Sequence, residues 1–331
     1  MSKRLKRLSA LLITILLVVA LLPTTAFAAG KIMTDQPASL TINYKDGSKA
    51  IPNARFSLYK VADIDEYARM TLASEFETYK DTISGLADLN NLTQEQWLTL
   101  ASTLRGYVLK DDISPVAEGK TDSDANLTFS DLEVGLYLVI GDRVMTQDNY
   151  MYTPAPFMVF LPGEDTVKND WDYDVSAAPK FTKDYNPPDD DDYVSRKVLK
   201  KWDDAGYEAI RPAEVIVQLL KDGKVYDTQI LNKDNNWRYS WDNLDADYEW
   251  EVIEKEIEGY TVSIARSGVT FTITNSYEHP DNPPDNPPDN PPDNPEEKLP
   301  QTGILWWPVP LLLCVGLVFV MIGVIRRRRC N

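Results

Sequence analysis

Residues 280–295 consist of four tandem copies of Pro-Asp-Asn-Pro, and this repeat limits what the chain can fold into. Half of each copy is proline and the rest is short and polar, so the repeat offers no apolar side chains for a core and favours polyproline II. At about 3.1 Å per residue, it would extend on the order of 50 Å. We therefore predict an extended stalk over residues 279–298 and expect the folded domains to precede it.

The first 28 residues have the pattern of a secretory signal peptide. Basic residues come first, an apolar stretch follows, and the small-residue pattern Ala26-Phe27-Ala28 ends the segment. A retained membrane anchor is the alternative, but the apolar stretch is short and ends at a cleavage-type site. We predict that residues 1–28 are removed after Ala28.

The C-terminal segment, residues 299–331, combines three features in a fixed order. The first is a pentapeptide, the second is an apolar run of 22 residues over 304–325, and the third is a cluster of four arginines. The apolar run is long enough to cross a bilayer as a helix, and the arginines would remain on the cytoplasmic side. The pentapeptide is Leu299, Pro300, Gln301, Thr302 and Gly303.

This order of features resembles the LPxTG sorting signal of Gram-positive surface proteins. The resemblance implies that a sortase cuts between Thr302 and Gly303 and transfers the Thr302 carbonyl to an amine of peptidoglycan or of another subunit. An ordinary single-span tail anchor is the alternative, but it would not need Pro300, Thr302 and Gly303 at these positions.

Charge, cysteine and histidine content exclude several classes of function. The formal net charge is −17, and the acidic region between the two basic ends would repel nucleic acid and anionic lipid. The two cysteines, Cys314 and Cys330, both lie in the C-terminal tail, so the predicted ectodomain has no disulfide, cysteine nucleophile or cysteine-based zinc site. The single histidine, His279, cannot supply a histidine metal site or a catalytic triad. We expect no metal, no cofactor and no enzymatic turnover.

The region between the two terminal signals divides at residues 182–192, where NPPDDDD is typical of a linker. Calcium binding by its acidic run is the alternative, but the glycine-containing loop of an EF-hand is missing. Residues 31–181 have strand patterns at both ends and one amphipathic helical pattern between them. Thr93 and Gln96 have the spacing of a capping box at the start of that helix. We predict a β-sandwich with a helical insertion, whose apolar stripe belongs to the core.

Residues 193–278 read as short strands at regular spacing, separated by turns at 221–223 and 234–236. Their succession of strand blocks resembles the B-type repeat of collagen adhesin (Cna B) and its relatives in pilins. The resemblance implies an immunoglobulin-like sandwich with an internal Lys–Asn isopeptide bond, whose formation a neighbouring acid catalyses. The blocks are VLKKWDD at 198–204, RPAEVIVQLLKDGK at 211–224, NNWRYSWDNL at 235–244, YEWEVIEKEIEGY at 248–260 and TFTITNSY at 270–277.

Strand parity assigns this implied chemistry to Lys200, Glu254 and Asn275, because alternate residues of a strand share a face. Parity buries these three side chains and exposes Lys201 and Glu251. Burial favours the neutral amine and the neutral acid, so the amine can attack the Asn275 carbonyl while protonated Glu254 polarises it. The alternatives are a hydrogen-bonded cluster without a bond and an exposed polar face. The apolar residues on the same faces are Val198, Trp202, Trp250, Val252, Phe271 and Ile273.

The first domain ends with WDYDVSAAPK at residues 171–180, which resembles the pilin motif WxxxVxVYPK. Ala177 and Ala178 replace the usual valine and tyrosine of that motif. The resemblance implies that Lys180 accepts the threonine of another subunit, and a surface lysine that begins a linker is the alternative. Tyr44 stands where a Cna B-like first strand would place its lysine, so we predict no internal isopeptide bond in this domain.

We therefore predict a mainly all-β protein with two immunoglobulin-like, Cna B-like sandwiches in tandem, a polyproline stalk and a C-terminal sorting helix. The predicted function is that of a minor or basal subunit of a sortase-assembled pilus involved in adhesion. A pilus shaft subunit and a solitary, unpolymerised ligand-binding adhesin are the alternatives. The expected partners are a sortase, peptidoglycan, other pilin subunits and a host extracellular ligand, without nucleic acid. The protein would be secreted and covalently attached to the Gram-positive cell wall, after a transient stage in the plasma membrane.

Overall fold

The computed structural model describes residues 30–165, 170–185 and 193–277. Strands account for most of the regular structure, which confirms the predicted all-β class. The strands are β1 (Ala38–Asn43), β2 (Lys45–Asp46), β3 (Lys49–Ala50), β4 (Arg55–Ile64), β5 (Met70–Leu72), β6 (Ala117–Lys120), β7 (Asn126–Leu132), β8 (Gly135–Gly141), β9 (Val144–Met145), β10 (Tyr150–Pro154), β11 (Phe157–Leu161), β12 (Gly163–Asp165), β13 (Asp170–Asp172), β14 (Asp174–Ala177), β15 (Phe181–Tyr185), β16 (Tyr193–Asp203), β17 (Glu214–Lys221), β18 (Lys224–Asn232), β19 (Arg238–Asp245), β20 (Trp250–Glu254), β21 (Tyr260–Ser267) and β22 (Thr270–Tyr277). The helices are α1 (Ser74–Glu77) and α2 (Gln94–Lys110), with single 3₁₀ turns at Leu89–Asn91 and Glu208–Ile210.

The first domain contains two main sheets with the strand orders β14-β1-β7 and β11-β8-β4-β5, and a smaller sheet β15-β10-β9. Leu40 and Ile42 of β1 pack against Phe56 and Leu58 of β4 in the core between them. These four residues alternate along their strands because every second residue of a strand points to the same face.

Strand β8 is buried on both faces, along all seven of its residues. Tyr137 and Val139 point into the core of the first sandwich. Leu136, Leu138 and Ile140 belong to a second core, which continues into residues of the second domain. The first domain therefore presents an apolar face to a further layer of structure.

The second domain is a sandwich of a four-stranded sheet, β19-β16-β22-β21, and a three-stranded sheet, β18-β17-β20. Its first and last strands, β16 and β22, are parallel neighbours, and the other pairs are antiparallel. The predicted turn at 221–223 joins β17 to β18, and Gly223 adopts a φ of 78° there. The predicted sandwich fold of residues 193–278 is thus observed over the residues that the structure describes.

Residues 74–110, which we call the insertion, contain the two α-helices found in the described ranges. The predicted capping box is present: Gln96 N donates to Thr93 Oγ1 at 3.3 Å, and Thr93 N donates to Gln96 Oε1 at 2.8 Å. Leu100 and Leu104 of α2 are buried in the core that β8 shares with the second domain. The helical stripe is therefore core, as predicted, but this core is common to both domains.

The segment after Lys180 folds back onto the first domain. Strand β15 (Phe181–Tyr185) pairs along its whole length with β10, so the first part of the predicted linker 182–192 is a strand. The rest of that linker, the signal peptide 1–28, the stalk 279–298 and the sorting segment 299–331 lie outside the described residues. Within the described ranges, no helix is long and apolar enough to cross a membrane.

Candidate crosslinking site

Three strands of the second domain each place one polar side chain in its apolar core. Lys200 comes from β16, Glu254 ends β20, and Asn275 comes from β22. Their exposed fractions are 4%, 2% and 1%, whereas Lys201 is exposed. Parity thus predicts the burial of these residues correctly, because the strands keep the two-residue period without a bulge at these positions.

Lys200 and Asn275 lie on neighbouring parallel strands, and Glu254 lies on the sheet that faces them. Lys200 is opposite Ile273 in the register, and Trp202 is opposite Asn275. The Lys200 Nζ atom lies 3.9 Å from Glu254 Oε2 and 4.1 Å from the centre of the Trp202 ring. The fold therefore brings the amine, the carboxyl and the carboxamide to one place in the core.

Burial shifts both titratable groups of this cluster toward their neutral forms. It lowers the pKa of the Lys200 amine, although the negative charges of Glu254 and Asp204 oppose this shift. It raises the pKa of the Glu254 carboxyl, against the positive charge of Lys200 and a hydrogen bond with the Asn275 side chain. A neutral amine is a nucleophile and a protonated carboxyl is a hydrogen-bond donor, so both shifts favour acyl chemistry.

Two oxygen atoms of this cluster lack hydrogen-bond partners among the described residues. They are Glu254 Oε2 and Asn275 Oδ1, and both are fully buried. Lys200 Nζ donates instead to the main-chain oxygen of Lys201, at 2.7 Å. Buried polar atoms are rarely left unpaired, since each one costs free energy. The cluster is therefore under-satisfied as it stands, and a protonated Glu254 could donate to the free amide oxygen.

Comparison with known proteins identifies the sandwich that holds this cluster. The family model described as Cna protein B-type domain matches residues 196–276. Residues 196–276 form a Cna B-type domain. All three residues of the cluster fall within this match, so the predicted resemblance is confirmed for this part of the chain.

The chain is also similar to larger surface proteins. Collagen adhesin of Staphylococcus aureus is 32% identical in an alignment of 123 positions that covers 34% of this chain and 10% of that protein. The chain thus spans about a tenth of the length of this relative.

Among solved structures, a single B repeat unit of the collagen-binding surface protein of S. aureus aligns at 20% identity and a TM-score of 0.25. The alignment covers 73% of this chain and 98% of that one. The full-length major pilin SpaD from Corynebacterium diphtheriae aligns at 15% identity and a TM-score of 0.30, over 74% and 65% of the two chains.

One parity prediction for the Cna B-type domain is wrong. Glu251 was expected on an exposed outer face, but only 4% of it is exposed. Helix α2 covers this face of β20, and Arg105 of that helix forms ion pairs with Glu249, at 2.5 Å, and with Glu251. Parity describes the two faces of a strand correctly, but it cannot show that another domain covers the outer one.

Lys180 lies outside the Cna B-type domain, after the end of β14, and its side chain is exposed. Its main-chain oxygen accepts a hydrogen bond from Ala155 N at 2.8 Å. At the start of the same motif, Trp171 Nε1 donates to Gly30 O at 2.5 Å. The motif is thus held at both ends against the first domain, while the Lys180 amine remains accessible and apart from the buried cluster.

The first domain has no equivalent cluster among its described residues. Tyr44 is fully buried at the position where a Cna B-like first strand would place its lysine, and the nearby Lys183 forms an ion pair with Asp46 at 2.7 Å. This pair is partly exposed, and the hydrogen bond from Lys183 lowers the pKa of Asp46, which favours two charged groups. The absence of an isopeptide bond in this domain remains a prediction.

The remaining predicted sites, the cleavage residue Ala28 and the sorting residues 299–303, lie outside the described residues. Two contacting residues were missed by the sequence reasoning. Arg105 and Tyr107 both reach β20 from α2, and Tyr107 Oη donates to Glu254 O at 2.9 Å. The only available signal was their place on a helix with an apolar stripe, which does not say what the helix packs against.

Proposed function

We propose that this chain is a structural surface protein whose Cna B-type domain forms an amide bond between Lys200 and Asn275. The observation that carries the proposal is the burial of an amine, a carboxyl and a carboxamide together in one apolar core. Isolated buried charges cost several kcal/mol, so the unreacted cluster is favoured in its neutral, reactive form. The reaction occurs once per molecule and has no turnover, which makes the role structural and not enzymatic.

In this reaction the neutral Lys200 Nζ attacks Asn275 Cγ. Protonated Glu254 donates a hydrogen bond to Oδ1, which has no other partner in the part of the chain that the structure describes, and stabilises the negative charge that develops there. The bond from Cγ to the amide nitrogen then breaks, and Glu254 transfers a proton from Nζ to the departing nitrogen. Ammonia leaves, a new Nζ–Cγ amide remains, and Glu254 ends in the protonation state in which it began.

Intact-mass spectrometry of the mature chain, residues 29–302, tests this bond. The wild-type mass should be about 17 Da below the sequence mass, because one ammonia is lost. The Lys200→Ala variant should keep its full mass. Lys201→Ala is the matched control, since Lys201 is the exposed neighbour, and it should show the same loss as wild type. Full mass in the wild type would contradict the bond, and a requirement for Lys201 would contradict the register.

We further infer that the mature protein is a wall-anchored minor or basal subunit of a sortase-assembled pilus. Three features support this role: the sorting segment 299–303, the stalk and the exposed Lys180. The sorting segment would supply the acyl donor, and Lys180 would supply the acceptor amine. Sortase, peptidoglycan and other pilin subunits are the partners that this role requires. A solitary adhesin is the second candidate, which the similarity to collagen adhesin favours.

Cell-wall extracts separate these roles. A pilus subunit should appear in SDS-resistant ladders that Lys180→Ala removes and that Lys120→Ala, at another exposed lysine, leaves unchanged. A single wall-linked species would favour the solitary adhesin. Deletion of the whole chain distinguishes the pilus positions, because a shaft subunit is needed for every ladder, whereas ladders of another subunit would persist without a minor or basal one.

A further inference from the structure

In the Cna B-type domain, β20 and β21 are edge strands of the two facing sheets, and the insertion of the first domain covers both. Ser84 N donates to Val262 O at 2.9 Å, and Val262 N donates to Thr82 O at 2.7 Å. This part of the insertion therefore forms one parallel bridge to β21, between Ile83 and Val262. Farther along β21, Ile264 N donates to Thr103 Oγ1 of α2 at 2.8 Å. Main-chain groups of the two domains thus form hydrogen bonds with one another.

Helix α2 approaches β20 closely at two consecutive residues. A Cβ atom added to Gly106 would lie 2.8 Å from Ile253 Cγ2, so only glycine allows the observed separation without a shift. The next residue, Tyr107, donates its hydroxyl hydrogen bond to the main-chain oxygen of Glu254, at 2.9 Å. The residue that would supply the catalytic acid is therefore held by a side chain of the other domain.

These contacts exclude water from the outer face of β20, which points away from the core of the Cna B-type sandwich. All five residues of β20 are buried, including Glu251 and Ile253 on the outer face. Only 5% of Tyr107 is exposed, and its ring belongs to the core that both domains share. Without the insertion, the outer face and the end of this strand would meet solvent. The position and the dry surroundings of Glu254 thus depend on the first domain.

We propose that Tyr107 is a positioning residue for crosslink formation, and that the Lys200–Asn275 bond forms only after the insertion has packed against the Cna B-type domain. This inference rests on the proposed crosslink. The bond would then form only in molecules whose two domains have packed correctly, because an unpacked domain would hold Glu254 at a solvent-accessible strand end. The Tyr107 hydroxyl bonds to the main-chain oxygen of Glu254, so it acts through the main chain and not on the reacting atoms.

The test follows crosslinking in time in the mature chain, residues 29–302. Cell-free synthesis is stopped with guanidinium chloride at intervals, and intact masses give the fraction that has lost ammonia. Tyr107→Phe removes a single hydroxyl group and should slow the loss about tenfold, as expected when one hydrogen bond to the site is removed. Gly106→Val, which separates α2 from β20, should leave most molecules at full mass.

Tyr79→Phe is the matched control. The ring centres of Tyr79 and Tyr107 are 5.8 Å apart, but the Tyr79 hydroxyl donates its hydrogen bond to Asp111 Oδ2, at 2.6 Å. This variant should crosslink at the wild-type rate. Thermal unfolding of each variant separates positioning from folding: slow crosslinking in a Tyr107→Phe chain that unfolds as cooperatively as Tyr79→Phe supports the inference.

A wild-type rate in Tyr107→Phe overturns the inference, whether or not Gly106→Val folds. A rate that falls only as far as the folded fraction falls also overturns it. Full mass in the wild type would instead overturn the crosslink itself, and this inference with it. The wild-type mass thus tests the crosslink, and the rate in Tyr107→Phe tests the positioning role.

Discussion

The Lys200 amine lies 3.9 Å from a carboxyl oxygen of Glu254, yet its hydrogen bond goes to the main-chain oxygen of Lys201, at 2.7 Å. A buried ion pair is stable only when its geometry is close and its remaining polar atoms are satisfied. Neither condition holds here, since the distance is long and Glu254 Oε2 has no hydrogen-bond partner among the described residues. The arrangement suits a neutral amine beside a neutral acid better than it suits a salt bridge.

Loss of the crosslink should lower the stability of the chain. Glu254→Gln removes the acid but keeps both reacting groups, so it should restore the full mass. The bond closes a loop of about 75 residues, and the chain-entropy relation for crosslinks gives a loss of ~4 kcal/mol in the free energy of unfolding. Guanidinium denaturation of the two mature chains measures this difference. Equal stability, when only the wild type lies about 17 Da (one ammonia) below its own sequence mass, would contradict the expected stabilisation.

The uncrosslinked Glu254→Gln chain should become more stable as the pH rises from neutral toward 10. Burial lowers the pKa of Lys200 in the folded chain, and the variant also lacks the Glu254 charge that opposes this shift. The folded state then binds fewer protons than the unfolded state between the lowered pKa and the ordinary lysine pKa of about 10.4, so stability increases with pH across that window. Denaturation at several pH values measures the slope. A Lys200→Met/Glu254→Gln chain should lack this component, and equal slopes in the two chains would contradict the assignment.

Gly223, in the turn between β17 and β18, should tolerate alanine poorly. Its φ is 78°, and a Cβ atom there would lie 2.5 Å from the main-chain oxygen of Leu109, at the end of α2. Gly206 has a similar φ of 88° but open space around it, so Gly206→Ala isolates the backbone strain of ~1 kcal/mol. Gly223→Ala should cost more, about 2–3 kcal/mol, because a backbone contact must also shift. Similar losses in the two variants would show that the turn does not need its contact with α2.

The strand alternation of the second domain is enough to predict its buried cluster. Lys200, Glu254 and Asn275 are polar residues at positions where the two-residue period requires apolar ones, and the structure buries all three. The period depends only on local backbone geometry, so it is available without knowledge of the partner strands.

The packing of one domain on the other could not be predicted in the same way. The helical stripe around Leu100 and Leu104 indicates a buried face, but many apolar surfaces could cover it. Glu251 illustrates the consequence, since it reads as an outward-facing charge and is in fact buried against Arg105. Such contacts join residues almost 150 positions apart in the chain, and no local period records them.

Arg105 should be essential for the stability of the two-domain body. Its side chain is 5% exposed and pairs with Glu249 and Glu251 of the Cna B-type domain. Removing one partner of a buried ion pair costs about 3–5 kcal/mol, and the loss should lie at the lower end of this range because Arg266 still pairs with Glu251 at 3.1 Å. We expect Arg105→Ala to lower the free energy of unfolding by that amount. Arg55→Ala is the matched control, because Arg55 meets Glu118 at 3.5 Å on an exposed surface, and its loss should cost less than about 1 kcal/mol.

The difference between wild type and Arg105→Ala should shrink as the pH falls from 7 toward 4. Burial alone would raise the pKa of Glu249, and the charge of Arg105 is the main cause that holds it below its ordinary value in the wild type. A lowered carboxyl pKa stabilises the folded state above the unfolded pKa, and this stabilisation is lost as the pH falls through the folded pKa. In the variant the Glu249 carboxyl is free to take up a proton, which removes its unpaired charge, while the wild type begins to lose the ion pair between Arg105 and Glu249. Urea denaturation at pH 7, 5.5 and 4 measures both chains, and a difference that stays constant over this range would show that Arg105 acts through packing and not through its charge.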